Sequence, residues 1–297
     1  MHGYMRNLFL CGLLLAATVP VQAIAAVGDG PEPGIEVLLR ERADALKGKR
    51  IGLVTNMTGV DRALRSDIDL LAARTDVQLV ALFGPEHGVR GDVQAGGHVD
   101  SSRDAATGLP VHSLYGEHRE PTPEMLRGID LLLFDIQDVG ARFYTYPYTL
   151  ANVLRAARRD GIPVWVLDRP NPVGGLKVEG PVLEPAQASF VGMFPIPVRH
   201  GMTIGELARL FNAGFGIGAD LSVVPMRGWQ RGDAEEGGAM PWVPPSPNMP
   251  TRDTALVYLG TALLEGTNVS EGRGTTRPFE TLGAPFVDAR QLADALN

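Results

Sequence analysis

Two stretches of the chain gather residue types suited to cleaving or holding a sugar. Phe83-Gly-Pro-Glu-His-Gly-Val-Arg-Gly91 sets Glu86 and His87 between glycines, directly after an apolar run. Partial desolvation favours the neutral, proton-donating form of a carboxyl group, and protonation of the leaving oxygen is what glycoside cleavage requires. His87 has three readings: it orients Glu86, it contacts a ligand, or it is a structural histidine. Asp135-Ile-Gln-Asp-Val-Gly-Ala-Arg-Phe-Tyr-Thr-Tyr146 packs two acids, an amide, an arginine and three aromatics together. Planar side chains cover the apolar face of a sugar ring, while amides and carboxylates take its hydroxyls. The aromatics also have a core reading, preferred for Phe143; Tyr144 and Tyr146, whose hydroxyls need partners, suit either.

Further candidates follow in order. Asp168-Arg-Pro-Asn-Pro172 contributes Asp168, Arg169 and Asn171, and His200-Gly201 adds an imidazole. Pro245-Ser-Pro-Asn248 holds Ser246 and Asn248 in a stiff extended segment. Glu271-Gly-Arg-Gly-Thr-Thr-Arg-Pro278 supplies a carboxylate and two arginines where glycines let backbone approach a ligand. A guanidinium grips a carboxylate bidentately, so Arg142, Arg169, Arg273 and Arg277 are candidate readers of an acidic ligand. Zinc templates are not met: the histidines form no His-x-x-x-His array, and the one cysteine is Cys11. No Gly-x-Ser-x-Gly elbow occurs. No metal and no cofactor is expected, although Glu86, His87, Asp135, Asp138, Asp168 and His200 leave a dispersed hard-metal site as the rival arrangement.

The elements that position these groups are legible as a pattern. Ile51–Thr55, Gln78–Phe83, Leu131–Phe134 and Val164–Leu167 are apolar on consecutive positions, as strands buried on both faces of a parallel sheet are. Asp67–Ala73 and Tyr148–Arg159 carry helical spacing between them, the second closing on Gly161. Repeated strand and helix units define an α/β class, here a Rossmann-like parallel sheet, without a Gly-x-Gly-x-x-Gly loop after its first strand. Asn56, Glu86, Asp135 and Asp168 then fall at strand carboxyl ends, the edge where such sheets bind ligands. Asp and Asn also follow strands as ordinary turn formers; four polar loops on one edge favour a site. Beyond about Gly180 the chain becomes rich in Pro and Gly, with helices expected at Thr203–Phe211, Thr251–Glu265 and Asp288–Asn297. This divides the chain into a Rossmann-like domain over 26–180 and a smaller α+β domain over 181–297.

Composition narrows the remaining classes. At 297 residues and mean hydropathy +0.02 the chain supports a substantial core. His2 and Arg6 precede the apolar run Leu8–Val19, and small residues at Ala23, Ala25 and Ala26 offer cleavage sites, so residues 1–25 read as a secretory signal. A secreted or periplasmic product without membrane attachment is expected after cleavage. The net charge of -7, with no block of Lys or Arg, excludes nucleic acid as the partner. Oligomeric state is not encoded in any pattern here.

Seven strings in order resemble one family: Asn56; Gly-Pro-Glu-His-Gly; Asp-Ile-Gln-Asp-Val-Gly-Ala-Arg-Phe-Tyr-Thr-Tyr; Leu-Asp-Arg-Pro-Asn-Pro; Arg-His-Gly-Met-Thr; Pro-Ser-Pro-Asn; and Glu-Gly-Arg-Gly-Thr-Thr-Arg-Pro-Phe. The family is the NamZ-type exo-beta-N-acetylmuramidases, once catalogued as a domain of unknown function. The resemblance implies a Rossmann-like domain and a smaller C-terminal domain around a cleft. It implies release of terminal beta-1,4-linked N-acetylmuramic acid from peptidoglycan-derived MurNAc-GlcNAc saccharides, with Glu86 as the catalytic acid. His87, Asp135 and Glu271 are carried over as cleft residues and read here as catalytic candidates, Asp135, Asp138 or Glu271 being the choices for the second group. Asn56, Gln137, Arg142, Tyr144, Asp168, Arg169, His200, Asn248 and Arg273 are likewise carried over to the cleft and read, together with Asp138 and Asn171, as substrate contacts. Members of the family continue past Asn297, so the second domain is expected to be incomplete. Two rivals remain at this stage: a metal-dependent cell-wall esterase or amidase, and a non-catalytic muropeptide-binding protein.

Overall fold

A computed structural model of the chain describes residues 30–91, 102–233 and 240–297. The expected secretory signal lies outside the described residues. Nine strands are present among them: β1 (Arg50–Thr55), β2 (Gln78–Gly84), β3 (Ser102–Arg103), β4 (Pro110–Ser113), β5 (Leu131–Asp135), β6 (Val164–Leu167), β7 (Glu179–Val182), β8 (Pro197–Arg199) and β9 (Leu221–Val224). The four apolar runs became β1, β2, β5 and β6. Seven strands form one sheet in the order β3-β4-β2-β1-β5-β6-β9, parallel throughout except for β3. The β7-β8 hairpin stands apart.

The six parallel strands run outward from β1 in both directions, first to β2 and β4, then to β5, β6 and β9. That is the doubly wound order, and its switch point falls between β1 and β5. β9 lies well past residue 180, so the sheet draws strands from both sides of the division drawn there. Its first three residues are only half-buried, which is why no continuous apolar run marks it.

Both faces of the sheet are covered, which explains the unbroken apolar strands. Val54, Phe83 and Phe134 pack with α3 (Tyr146–Asp160), α4 (Ile204–Arg209) and α5 (Arg252–Thr261). Ile51, Leu53 and Leu82 pack with α1 (Gly34–Glu41) and α2 (Asp67–Ala72) on the opposite face. Each fully buried Leu, Val or Phe contributes about 1.5–3 kcal/mol. α3 ends where Gly161 takes φ 69°, a left-handed cap. α4 begins with the expected capping box of Thr203 and Glu206. A last helix, α6 (Ala289–Leu296), starts at Asp288, whose side chain accepts from Gln291 N. α1 follows Pro33 directly, and Glu32 just before it pairs with Arg227. No described helix is long and apolar enough to cross a membrane.

Candidate active site

The carboxyl ends of β2, β1, β5 and β6 deliver Glu86, Asn56, Asp135 and Asp168 to one edge, in that spatial order. They differ in what surrounds them. Glu86 is half-buried two residues beyond β2, on a loop turned by His87 in left-handed backbone (φ 75°). His87 itself is 3% exposed. Thr145, at the N-terminus of α3, donates its hydroxyl to Glu86 Oε2 at 3.1 Å.

A ring of phenols stands near this carboxylate. Burial first, then the charge of Glu86, pushes the Tyr115 hydroxyl up, and burial does the same more strongly at Tyr146 and Tyr144. Tyr258 is pushed up chiefly by burial, with Glu265, Glu86 and Asp138 among the charges that add to it. The tyrosines therefore stay neutral donors across the physiological range. Tyr144 and Tyr146 meet edge to face at 4.9 Å, and Tyr146 donates to Pro245 O at 2.5 Å. That bond docks the Pro-Ser-Pro-Asn segment onto the start of α3, with Ser246 beside the Tyr144 hydroxyl and Asn248 half-buried.

The other edge acids are struts. Asp135 has no exposed surface, and Arg169 takes both its oxygens, Nε to Oδ1 at 2.5 Å and Nη2 to Oδ2 at 2.9 Å. Asp135 thus faces Arg169 rather than a ligand, and Arg169, 2% exposed, turns its remaining surface to a cavity that Gln137 and Asn171 also line. Asp168 accepts from Gly205 N, Thr203 Oγ1 and Arg169 N; burial outweighs these bonds and pushes its carboxyl up to about 6. Asn171 bridges Val173 N and Met202 O.

Asp138 and His200 form a buried dyad, Nε2 to Oδ2 at 3.1 Å, with Gly140 N donating to the same oxygen at 2.9 Å. Met202 N donates to His200 Nδ1, so Nε2 carries the imidazole proton. Asp138 Oδ1 is buried and accepts no hydrogen bond from the described residues. Gln137 donates to Asp138 O and Pro170 O and borders a cavity of about 40 Å³ over β1, β5 and β6. Trp229 and Trp242 wall this cavity. Glu86 is not among its lining residues, so this hollow lies beside the acid rather than on it.

Among the remaining expected residues, Arg142 donates to Pro181 O and Ile196 O, tying the β7-β8 hairpin to the loop after β5. Asn56 is 2% exposed, its Oδ1 held by Thr58 N and Oγ1. Glu271 pairs with Arg273, which also meets Glu265 and lies over the Phe279 ring. Arg277 projects outward, its side chain 75% exposed. Sequence reasoning did not single out Thr145 or Tyr115. Thr145 sits inside a quoted motif, whereas Tyr115 follows β4 in a stretch without one. Among the described residues no three His, Cys, Asp or Glu side chains converge as a metal site would need.

The fold and this edge define an α/β protein whose candidate site sets one half-buried carboxylate near neutral tyrosines, a setting for a ligand rich in hydroxyl groups. Residues 51–253 match the family described as "Exo-beta-N-acetylmuramidase NamZ, N-terminal", and residues 256–297 its C-terminal counterpart. The chain belongs to this NamZ family. It is 54% identical over 297 residues to the peptidoglycan beta-N-acetylmuramidase NamZ of Bacillus subtilis strain 168, covering 99% of this chain and 72% of that protein. Two crystal structures of DUF1343 family proteins from Bacteroides fragilis NCTC 9343 share the fold. One has TM-score 0.84 and 46% identity over 90% of this chain and 68% of its own; the other has 0.76 and 36% over 87% and 68%.

Proposed function

We propose that the chain is an exo-acting glycoside hydrolase releasing terminal beta-1,4-linked N-acetylmuramic acid from the non-reducing end of peptidoglycan fragments, with Glu86 protonating the glycosidic oxygen. One observation carries the assignment of the acid. At the ligand edge Asp135, Asp138 and Asp168 are buried and held by protein donors, while Glu86 keeps exposed surface and meets hydroxyls. Family membership supports the substrate. As the bond to the leaving sugar breaks, positive charge develops on the muramic acid ring, and a carboxylate or the substrate's own acetamido oxygen answers it. The N-terminal pattern from His2 to Ala26 supports export to the compartment where such fragments occur.

The test is hydrolysis of a MurNAc-GlcNAc disaccharide followed by NMR. Glu86→Gln keeps the shape and removes the transferable proton, and turnover falls by about 10²–10⁴ while the melting temperature holds. Undiminished release would remove Glu86 from the acid's role. The anomer that first accumulates separates retention from inversion.

A further inference from the structure

Beneath the ligand edge, the ends of β1 and β5 are joined by a buried chain of oxygens. Thr55 Oγ1 lies 2.5 Å from Asp67 Oδ2 and 3.1 Å from Asp135 O. A hydroxyl has a single proton to give. Given to Asp67, it leaves the Asp135 carbonyl facing a lone pair. Given to Asp135 O, it requires Asp67 to be the donor to Thr55.

Charge balance decides between these. Asp67 and Asp135 have no exposed surface, and the Arg169 guanidinium lies between β1 and β6 as the cation bonded to this group. Both its donors to carboxylate go to Asp135, and Nη2 also donates to Val60 O. Among the described residues, Asp67 receives Ile68 N at 2.7 Å and the distant Ser66 hydroxyl at 3.4 Å on Oδ1, and Thr55 on Oδ2. Two ionised carboxylates here would leave an uncompensated buried charge, which costs several kcal/mol. The backbone also closes over the pair: a Cβ on Gly59 would stand 2.2 Å from Thr55 Oγ1 and 2.3 Å from Asp67 Oδ2. Burial, then the charge of Asp135, holds the Asp67 carboxyl well above the usual carboxylate range; the Thr55 bond, Arg169 and Ile68 N pull the other way.

We propose that Asp67 is a positioning residue kept as a neutral acid: Oδ2–H donates to Thr55 Oγ1, which in turn donates its hydroxyl hydrogen bond to Asp135 O. One buried proton thus ties together the tips of β1 and β5 at the switch point, from which Asn56 and Gln137 depart. The proton is a property of the fold; its bearing on catalysis rests on the assignment of this edge as the active site.

The test compares wild type with Asp67→Asn and Asp67→Ala. Asn presents an N–H to Thr55 and a carbonyl to Ile68, reproducing the neutral pattern. In the wild type the unfolded chain ionises at Asp67 above about pH 4 while the folded protein does not, so stability falls as pH rises towards the folded value. The Asn variant lacks this fall. Its melting temperature therefore gains on wild type by roughly 2 °C per pH unit above pH 4. A gap that is flat, or that widens against Asn as pH rises, overturns the proton. Ala removes the donor, and on MurNAc-GlcNAc it lowers kcat with KM little changed, Asn restoring most of that loss. Equal kcat for Ala and Asn overturns the positioning role. Should wild type fail to cleave the disaccharide, the proposed activity falls while the melting comparison still decides the proton.

Discussion

A carboxylate is defined by what grips it, and the edge of this sheet holds acids in contrasting grips. Glu86 meets hydroxyls and solvent, Asp135 a bidentate guanidinium, Asp168 the start of a helix, and Asp138 an imidazole. The motifs that drew attention to these residues were informative about place and silent about grip, because spacing shows which strand an acid follows and not which arginine folds back onto it. Asp135 looked like a partner for Glu86 on type alone; Arg169, 34 positions later, makes it a strut. Asp67 carried no signal at all, since an Asp at the first turn of a helix is ordinary capping chemistry. His200 offers a direct check. Truncating it to Ala leaves the buried Asp138 carboxylate with Gly140 N as its remaining donor, and removing such a bond costs about 2–3 kcal/mol. Urea unfolding of His200→Ala should show a lower midpoint with an unchanged slope; a shift below about 0.5 kcal/mol would mean the dyad is not under load.

Among elements, the unbroken apolar strands announced a sheet covered on both sides, and so placed the ligand edge without any fold comparison. What escaped was whatever lacked a run: β9 with its half-buried face, and the short β3-β4 ladder. That ladder braces the Glu86 loop. Arg90, four residues past Glu86, reaches Asp104 with Nε at 2.9 Å and Nη2 at 3.1 Å, and Asp69 on α2 at 3.2 Å. Arg90 chiefly, with Thr107, draws the Asp104 carboxyl down to about 2 against the effect of burial. A depressed folded value means stability present above the unfolded value near 4 and lost as pH falls through about 2. Asp104→Asn should therefore be less stable than wild type at pH 7 by about 1 kcal/mol, solvent screening of the partly exposed Arg90 included, and indistinguishable from it near pH 2. Thermal scans across that window check this, and a constant difference would assign the loss to packing.

For the molecule as a whole, the acids and imidazoles of the edge are individually bound to protein donors rather than converging. Hydrolysis of the disaccharide should accordingly persist in excess chelator, whereas loss of activity with recovery on adding a divalent ion would favour the metal-dependent esterase or amidase reading. The doubly wound order has another consequence, for the history of the chain rather than its chemistry. β1 is made first among the described strands yet sits at the centre, and Thr55 must wait for Asp135, 80 positions later, before its inner flank is closed. At ribosomal speed that wait lasts on the order of ten seconds. Throughout it the nascent protein presents an apolar, hydrogen-bond-hungry strand to its surroundings, so slower growth at low temperature or added holdase chaperone should raise the yield of folded protein more than any surface redesign.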